Sequence, residues 1–414
     1  QIMKNKNKLH YGWLMVFVGF MVFAIDFCVI FNCTGLYVQP VTEDLGFLRK
    51  DYALNNTVTC VAMMVLSLFS GRIYKRFSLK SVMMFGAIVC PIAYSAYSLA
   101  NTKVEFYIIS AALGIGAGCI GMIPASMLIT NWFNDKRGFA IGVAFMGSGA
   151  GGIVLSPVLA SIIENYGWRN TFLFTGIFMF AAIVPLVALF VKSTPAEKGL
   201  EPYGGAENIP KVEHEQGVTA QQALKGASFW LYFTFPFFIS TISCSIIQQT
   251  IPFAAEVGYS AKQAANFGAL NLASLAVGKI LLGQVYDKKG VKFATYSALA
   301  VLFVAMCGYS AGLNPVFLYG GIIISGYGSA LSSVSYPIIT QSLFGKKDYA
   351  TIYGYLSVAS SLGTAVGPVI VSSIYDALGS YQRAWVALSV ACVVVTLLYA
   401  LLNKVNKKER AQRL

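Results

Sequence analysis

Predominantly apolar runs of 20 or more residues recur from one end of this chain to the other, and they limit the solvent in which it can fold. A bilayer core about 30 Å thick takes about 20 apolar residues per helical crossing. Twelve spans can be drawn, at 11–38, 51–71, 79–100, 104–132, 138–164, 168–191, 227–257, 261–286, 292–312, 315–344, 349–378 and 382–403. Of the 414 residues 57% are apolar and 11% are charged, whereas a soluble chain carries about 25% charged residues. With no water in the bilayer core, each segment must satisfy its own backbone. Helices do so, while barrel strands would be shorter and would alternate in polarity. The expectation is an all-α integral membrane protein with twelve transmembrane helices in two pseudo-symmetric six-helix bundles.

The longest polar stretch, 192–226, holds Pro195, Pro202, Gly204, Gly205, Pro210 and five glutamates. It divides an N-terminal bundle (1–191) from a C-terminal bundle with a basic tail (227–414), and it reads as a cytoplasmic linker. A repeat supports the division. Gly71-Arg72-Ile73-Tyr74-Lys75-Arg76 resembles Gly283-Gln284-Val285-Tyr286-Asp287-Lys288 at an offset of 212 residues, and the same offset relates Gly142 to Gly354, Gly151 to Gly363 and Gly167 to Gly379. Repeated halves are a ground plan of secondary transporters.

Charge placement sets the expected topology. If the N-terminus is cytoplasmic, 23 Lys/Arg fall in inside segments and six in outside loops, leaving Lys279 within a helix. That follows the positive-inside rule and puts both termini in the cytoplasm of a cell-membrane protein. The net charge of +13 then faces anionic lipid head groups and not nucleic acid. The Lys4, Lys6, Lys8 cluster precedes an apolar run too long for a cleaved signal peptide, so that run reads as a retained first helix. Eight cysteines sit in apolar stretches without a C-x-x-C, and His10 and His214 lie outside the spans. These patterns offer no disulfide framework, metal site or cofactor, and no nucleophile–base set for an enzyme. The Gly147–Gly152 run lacks the Lys-Ser/Thr of a phosphate loop and reads as close helix packing. Asn32 and Asn55 open Asn-x-Thr sequons, but both lie in or beside spans.

Two charges stand inside the membrane, Asp26 on span 1 and Lys279 on span 8. A charge at mid-bilayer costs about 2.5–3.5 kcal/mol even on a mild scale, so each needs a cavity, a partner or a ligand. They come from opposite halves, as the groups of a central site would. Lys279 reads as the counter-ion of an anion, or as a structural partner of Asp26. Asp26 reads as a coupling-proton carrier, or as the group that holds Lys279 when the site is empty. Polar residues at helical spacing mark further candidates. They are Tyr37 and Cys33 with Asp26, Asn56 on span 2, Gln248 on the Ser240–Cys244 stripe, and Asn271 two turns before Lys279. Span 10 adds Ser329, Ser332, Ser333 and Tyr336, and span 11 adds Ser360.

The segment Gly283-Gln284-Val285-Tyr286-Asp287-Lys288-Lys289-Gly290-Val291-Lys292 resembles the G-x-x-x-D-[RK]-x-G-x-[RK] loop of the major facilitator superfamily. Its first-half copy starts at Gly71, Arg72 and Arg76, with Tyr74 taken at the position of the acid and Ser78 at that of the glycine. The inner gate of the first half is therefore expected to be held differently. Tyr11-Gly12-Trp13, Asn131 to Gly142 and Tyr166-Gly167-Trp168-Arg169 resemble the monocarboxylate and oxalate/formate branch. The resemblance implies alternating access, a gating role for Gly71, Arg72, Arg76, Gly283, Asp287, Lys288 and Gly290, and a substrate carboxylate on the basic group at Lys279. Oxalate exchangers of that branch carry aromatics on span 10 and a second basic group on span 11. Serines and Ser360 stand there in this chain, which favours a monocarboxylate. The expected cargo is thus a small organic anion, driven by protons or by exchange, carried by a monomer in lipid. The alternative is an amphipathic or neutral solute with Lys279 structural.

Overall fold

The computed structural model describes residues 10–205, 217–312 and 314–413. Lys4, Lys6, Lys8, Pro210 and His214 lie outside the described residues. Those described form helices, with no strand beyond one isolated bridge between Phe133 and Tyr203. Among the described residues nine helices are long and apolar enough to cross a membrane, and a bent pair, Asp51–Leu68 with Ser70–Arg76 at 59°, makes a tenth. Two helical stretches are far longer than one crossing: Arg137–Phe190 has 54 residues and Ala261–Ser310 has 50. At 1.5 Å per residue, each would run roughly 75–80 Å if straight. Each instead turns at one glycine, Gly167 (φ 77°) and Gly290 (φ 79°), in the backbone region that side chains disfavour. Two crossings per stretch is what the twelve-span expectation requires. Large apolar side chains stay exposed around the bundle, among them Ile108, Val154, Ile177, Val304 and Leu397. Lipid is the environment in which such a surface is stable, and the protein is a multi-pass membrane protein.

Contacts repeat at the 212-residue offset. A methyl group added at Gly142 would overlap the carbonyl oxygen of Lys279, and one added at Gly354 would overlap that of Ser67. Both partners of each contact are related by the offset. Span 5 thus crosses span 8 as span 11 crosses span 2, backbone against backbone, which only glycine permits.

Span 1 departs from the simple reading. It is an α-helix over Tyr11–Val22, a π-helix over Phe23–Asn32 and an α-helix over Gly35–Leu45. The Cys33 amide donates to the Cys28 carbonyl five residues back, at 3.1 Å. The wider winding departs from the α-helical step, and Asp26, Cys33 and Tyr37 are all buried in the first half. The Gly147–Gly152 run packs against the same span: methyl groups at Gly147 and Gly151 would overlap the carbonyl oxygens of Phe20 and Ala24.

Candidate substrate site

Lys279 is only 6% exposed. Its Nζ donates to the Phe145 carbonyl and to Ser148 Oγ, each at 3.0 Å, both on span 5. The Ser148 carbonyl in turn accepts from Asn32 Nδ2 at 2.9 Å, which ties span 1 to the same point. An ammonium has three donors, and these bonds use two. Asp26 is 1% exposed and neither of its carboxylate oxygens has a hydrogen-bond partner among the described residues. The two membrane charges are therefore not paired, contrary to one sequence reading.

The position of Lys279 in the seam between the halves matters more than its burial. Hydrogen bonds that cross the seam cluster at the inner end, which bears the basic loops 71–80 and 283–292. They join Ser67 to Gly354, Ser70 to Ala350, Ser126 to Tyr349 and Arg137 to Gln341. Along spans 5 and 8, the close approaches run outward from Gly138 with Gly283, through Gly142 with Lys279, to Gly149 with Ala276. A helical side chain leans toward its helix N-terminus, which is outward for span 8. The Lys279 ammonium accordingly reaches Phe145 and Ser148, beyond the Gly142 crossing. It sits just inside the outermost close approach of the seam, the rung of Gly149 with Ala276.

Beyond that rung, Asn32 is exposed. Asn56 is exposed and shares a helical stripe with Ser67, eleven residues on, whose hydroxyl reaches across to Gly354. Gln248 is exposed, with its amide on Cys244 Sγ at 3.2 Å. The other candidates lie elsewhere. Tyr37 is fully buried, stacked on Phe172 at 4.1 Å, within the aromatic core of the first half. Asn271 is buried and donates to the Ile246 carbonyl and to Thr250 Oγ1, which holds span 8 to span 7. Tyr336 and Ser360 both bond Ser240 Oγ, at 2.9 and 2.8 Å, in a network internal to the second half. Ser332 and Ser333 return to carbonyls of their own turn, and the buried Ser329 hydroxyl has no partner. The structure thus brings Lys279 together with Ser148 and Asn32. Ser148 was hidden in a run read only as glycine packing, and Asn32 was weighed only as a sequon. The signal available was a polar group inside each of two spans.

Both loop copies make contacts across the seam at the inner end. Asp287 accepts the amides of Gly138 and Phe139, each at 2.7 Å, and so caps the first turn of span 5 from the opposite half. The 212-residue offset from Asp287 falls on Lys75, so Lys75 and not Tyr74 holds the acid's position in the first copy. Its Nζ lies 2.8 Å from Asp348, beside the start of span 11. The first-half contact is thus an ion pair of reversed polarity, and Asp348 was the residue missed. A base at the acid's place called for an acid opposite. Gly71 lies against Thr351, while Arg72 and Arg76 sit over the rings of Phe69 and Phe77 at 6.0 and 5.8 Å. Lys288 is exposed.

The Lys75 ammonium, with the Ala220 amide, holds the Asp348 carboxyl below its ordinary range. For a lowered acid the bond contributes above the unfolded pKa and is lost as pH falls through the folded one. Lys75→Glu is expected to open the inner end, and Lys75→Glu with Asp348→Lys to restore closure. Labelling of an inner-end cysteine reports both.

The Major Facilitator Superfamily model matches residues 12–368 and 310–413. The chain is 23% identical to Monocarboxylate transporter 12 of Homo sapiens over 433 residues, 97% of this chain and 82% of that one. It is 22% identical to the Oxalate:formate antiporter of Oxalobacter formigenes over 374 residues, 87% and 85% of the two chains. Its fold is similar to that of the transporter FucP in the outward conformation, with a TM-score of 0.67 at 16% identity, over 95% of this chain and 99% of that one.

Proposed function

Because this chain belongs to the Major Facilitator Superfamily, whose members are transporters and not enzymes, we propose that it moves a small organic anion, a monocarboxylate, by alternating access of its two halves. One observation carries the reading. The Lys279 ammonium stands in the inter-half seam with no carboxylate partner among the described residues and one donor unspent. An incoming carboxylate supplies the missing charge. Relatives named for monocarboxylates and for oxalate and formate support the class. Lys279 with Ser148, Asn32, Asn56 and Gln248 forms the proposed binding set, and the Asp287 and Lys75–Asp348 contacts form the inner gate.

Asp26 is proposed as the proton site. A carboxyl buried without a partner costs least in its neutral form, which carries a proton. When alternating access rewets span 1, that proton is released. Proteoliposomes with an imposed inward proton gradient test this. Carboxylate uptake rises with the gradient in the native chain, while Asp26→Asn responds no more than it does without one. Equal stimulation of both would exclude Asp26 as the coupling group.

A second reading, a neutral or amphipathic cargo with Lys279 structural, is favoured by the burial of Lys279 and its two bonds into span 5. Uptake of the uncharged amide of the same acid separates the two, because only that reading predicts it.

A further inference from the structure

A cavity of about 290 Å³ lies away from the seam, at the inner end of the second half, between spans 9, 10 and 12. Its apolar wall is Val291, Ile339 and Leu343, and its polar side is Lys292, Asn406 and Lys407. Neither the transport site nor the gate uses it. Lys292 and Lys407 are exposed, and no salt bridge among the described residues involves either. Asn406 is 8% exposed and lines the same cavity. Two lysine ammonium groups and an amide lining one cavity mark a place for an acceptor-rich anion. The nearest acid on the helix, Glu409, is turned away: it accepts from the Ser228 amide and hydroxyl at 3.1 and 2.6 Å.

We infer that this cavity binds the phosphate headgroup of an anionic phospholipid. The lysines meet the phosphate, Asn406 donates to it, and the acyl chains run along the apolar wall and the exposed Phe293 toward the hydrocarbon. The depth fits, because the cavity lies where the spans end and the basic loops begin, at headgroup level. Basic pockets between transmembrane helices take such headgroups, with each lysine near the surface contributing about 1 kcal/mol.

The test titrates the purified full chain in neutral detergent with phosphatidylglycerol, phosphatidylcholine or inorganic phosphate and follows thermal unfolding. Three variants accompany the native chain. Lys292→Gln with Lys407→Gln empties the site of charge, and Asn406→Leu removes the buried donor. Lys404→Gln with Lys408→Gln removes equal charge from exposed positions on the same helix. Phosphatidylglycerol is expected to stabilise the native chain and the Lys404/Lys408 control alike. It should bind the Lys292/Lys407 variant roughly tenfold or more weakly, and the Asn406 variant more weakly too. Equal stabilisation by phosphatidylcholine would overturn the proposal. So would an equal loss in the control, which means a diffuse surface charge. Saturation by inorganic phosphate would also overturn it, since the site then takes a free anion and not a lipid.

Discussion

Proteoliposomes bearing Lys279→Ala are expected to take up no carboxylate above the protein-free background, while Lys279→Arg keeps a measurable fraction. Loss of one charge-assisted bond costs about 1.5–3 kcal/mol, roughly a ten- to hundredfold fall in binding, and the cargo loses its only membrane counter-ion as well. Stability should move the other way. The substitution removes a charge whose burial costs about 2.5–3.5 kcal/mol, and Ser148 Oγ keeps its bond to the Phe145 carbonyl at 3.1 Å. The signature is lost uptake with an unchanged or raised unfolding temperature. Arginine retains the charge but brings a planar fork in place of a point charge, at a position where span 8 already touches Gly142. A structural lysine predicts the reverse, a destabilised alanine variant that still transports.

Gly142→Leu is expected to abolish transport by a different route. The first side-chain carbon would overlap the Lys279 carbonyl oxygen, so spans 5 and 8 cannot close at the inner end. Overpacking typically costs 1–3 kcal/mol, here spent against the conformation with a closed inner end. The carrier then rests with its outer end shut. A cysteine placed at Asn56 reports this, because an impermeant maleimide labels it from outside in the native background and fails to label it beside Gly142→Leu. Gly354→Leu, which meets the Ser67 carbonyl through the equivalent crossing, should behave the same way. Labelling unchanged by either substitution would show that the crossings do not control access.

Much of the architecture was legible because the bilayer makes one demand on every segment, and long apolar runs are its signature. The 212-residue repeat was legible because Gly142 and Gly354 each sit where two backbones touch, and no other residue fits there. The winding of span 1 was not legible: Phe23 to Asn32 is uniformly apolar apart from Asp26 and Asn32, and periodicity assumes the α-helical step that a π-helix breaks. Serine stripes misled for another reason. Ser332 and Ser333 satisfy themselves on their own turn, so spacing alone could not tell a lining hydroxyl from a self-bonded one. Lys279 stood out because an unneutralised charge in hydrocarbon is too costly to be incidental, but its partner Ser148 depends on where two helices cross, and that is a property of the fold. In the gate, the reversed pair of Lys75 and Asp348 needed the repeat to be read in strict register, which the choice of Tyr74 missed by one residue.

The claim that Lys279 receives the carboxylate is tested most directly by calorimetric titration of the purified chain with an isosteric pair, propionate and propionamide. The native chain is expected to bind propionate and not the amide, and Lys279→Gln to bind neither. Propionate binding to Lys279→Gln with native affinity, or equal binding of acid and amide by the native chain, would contradict it.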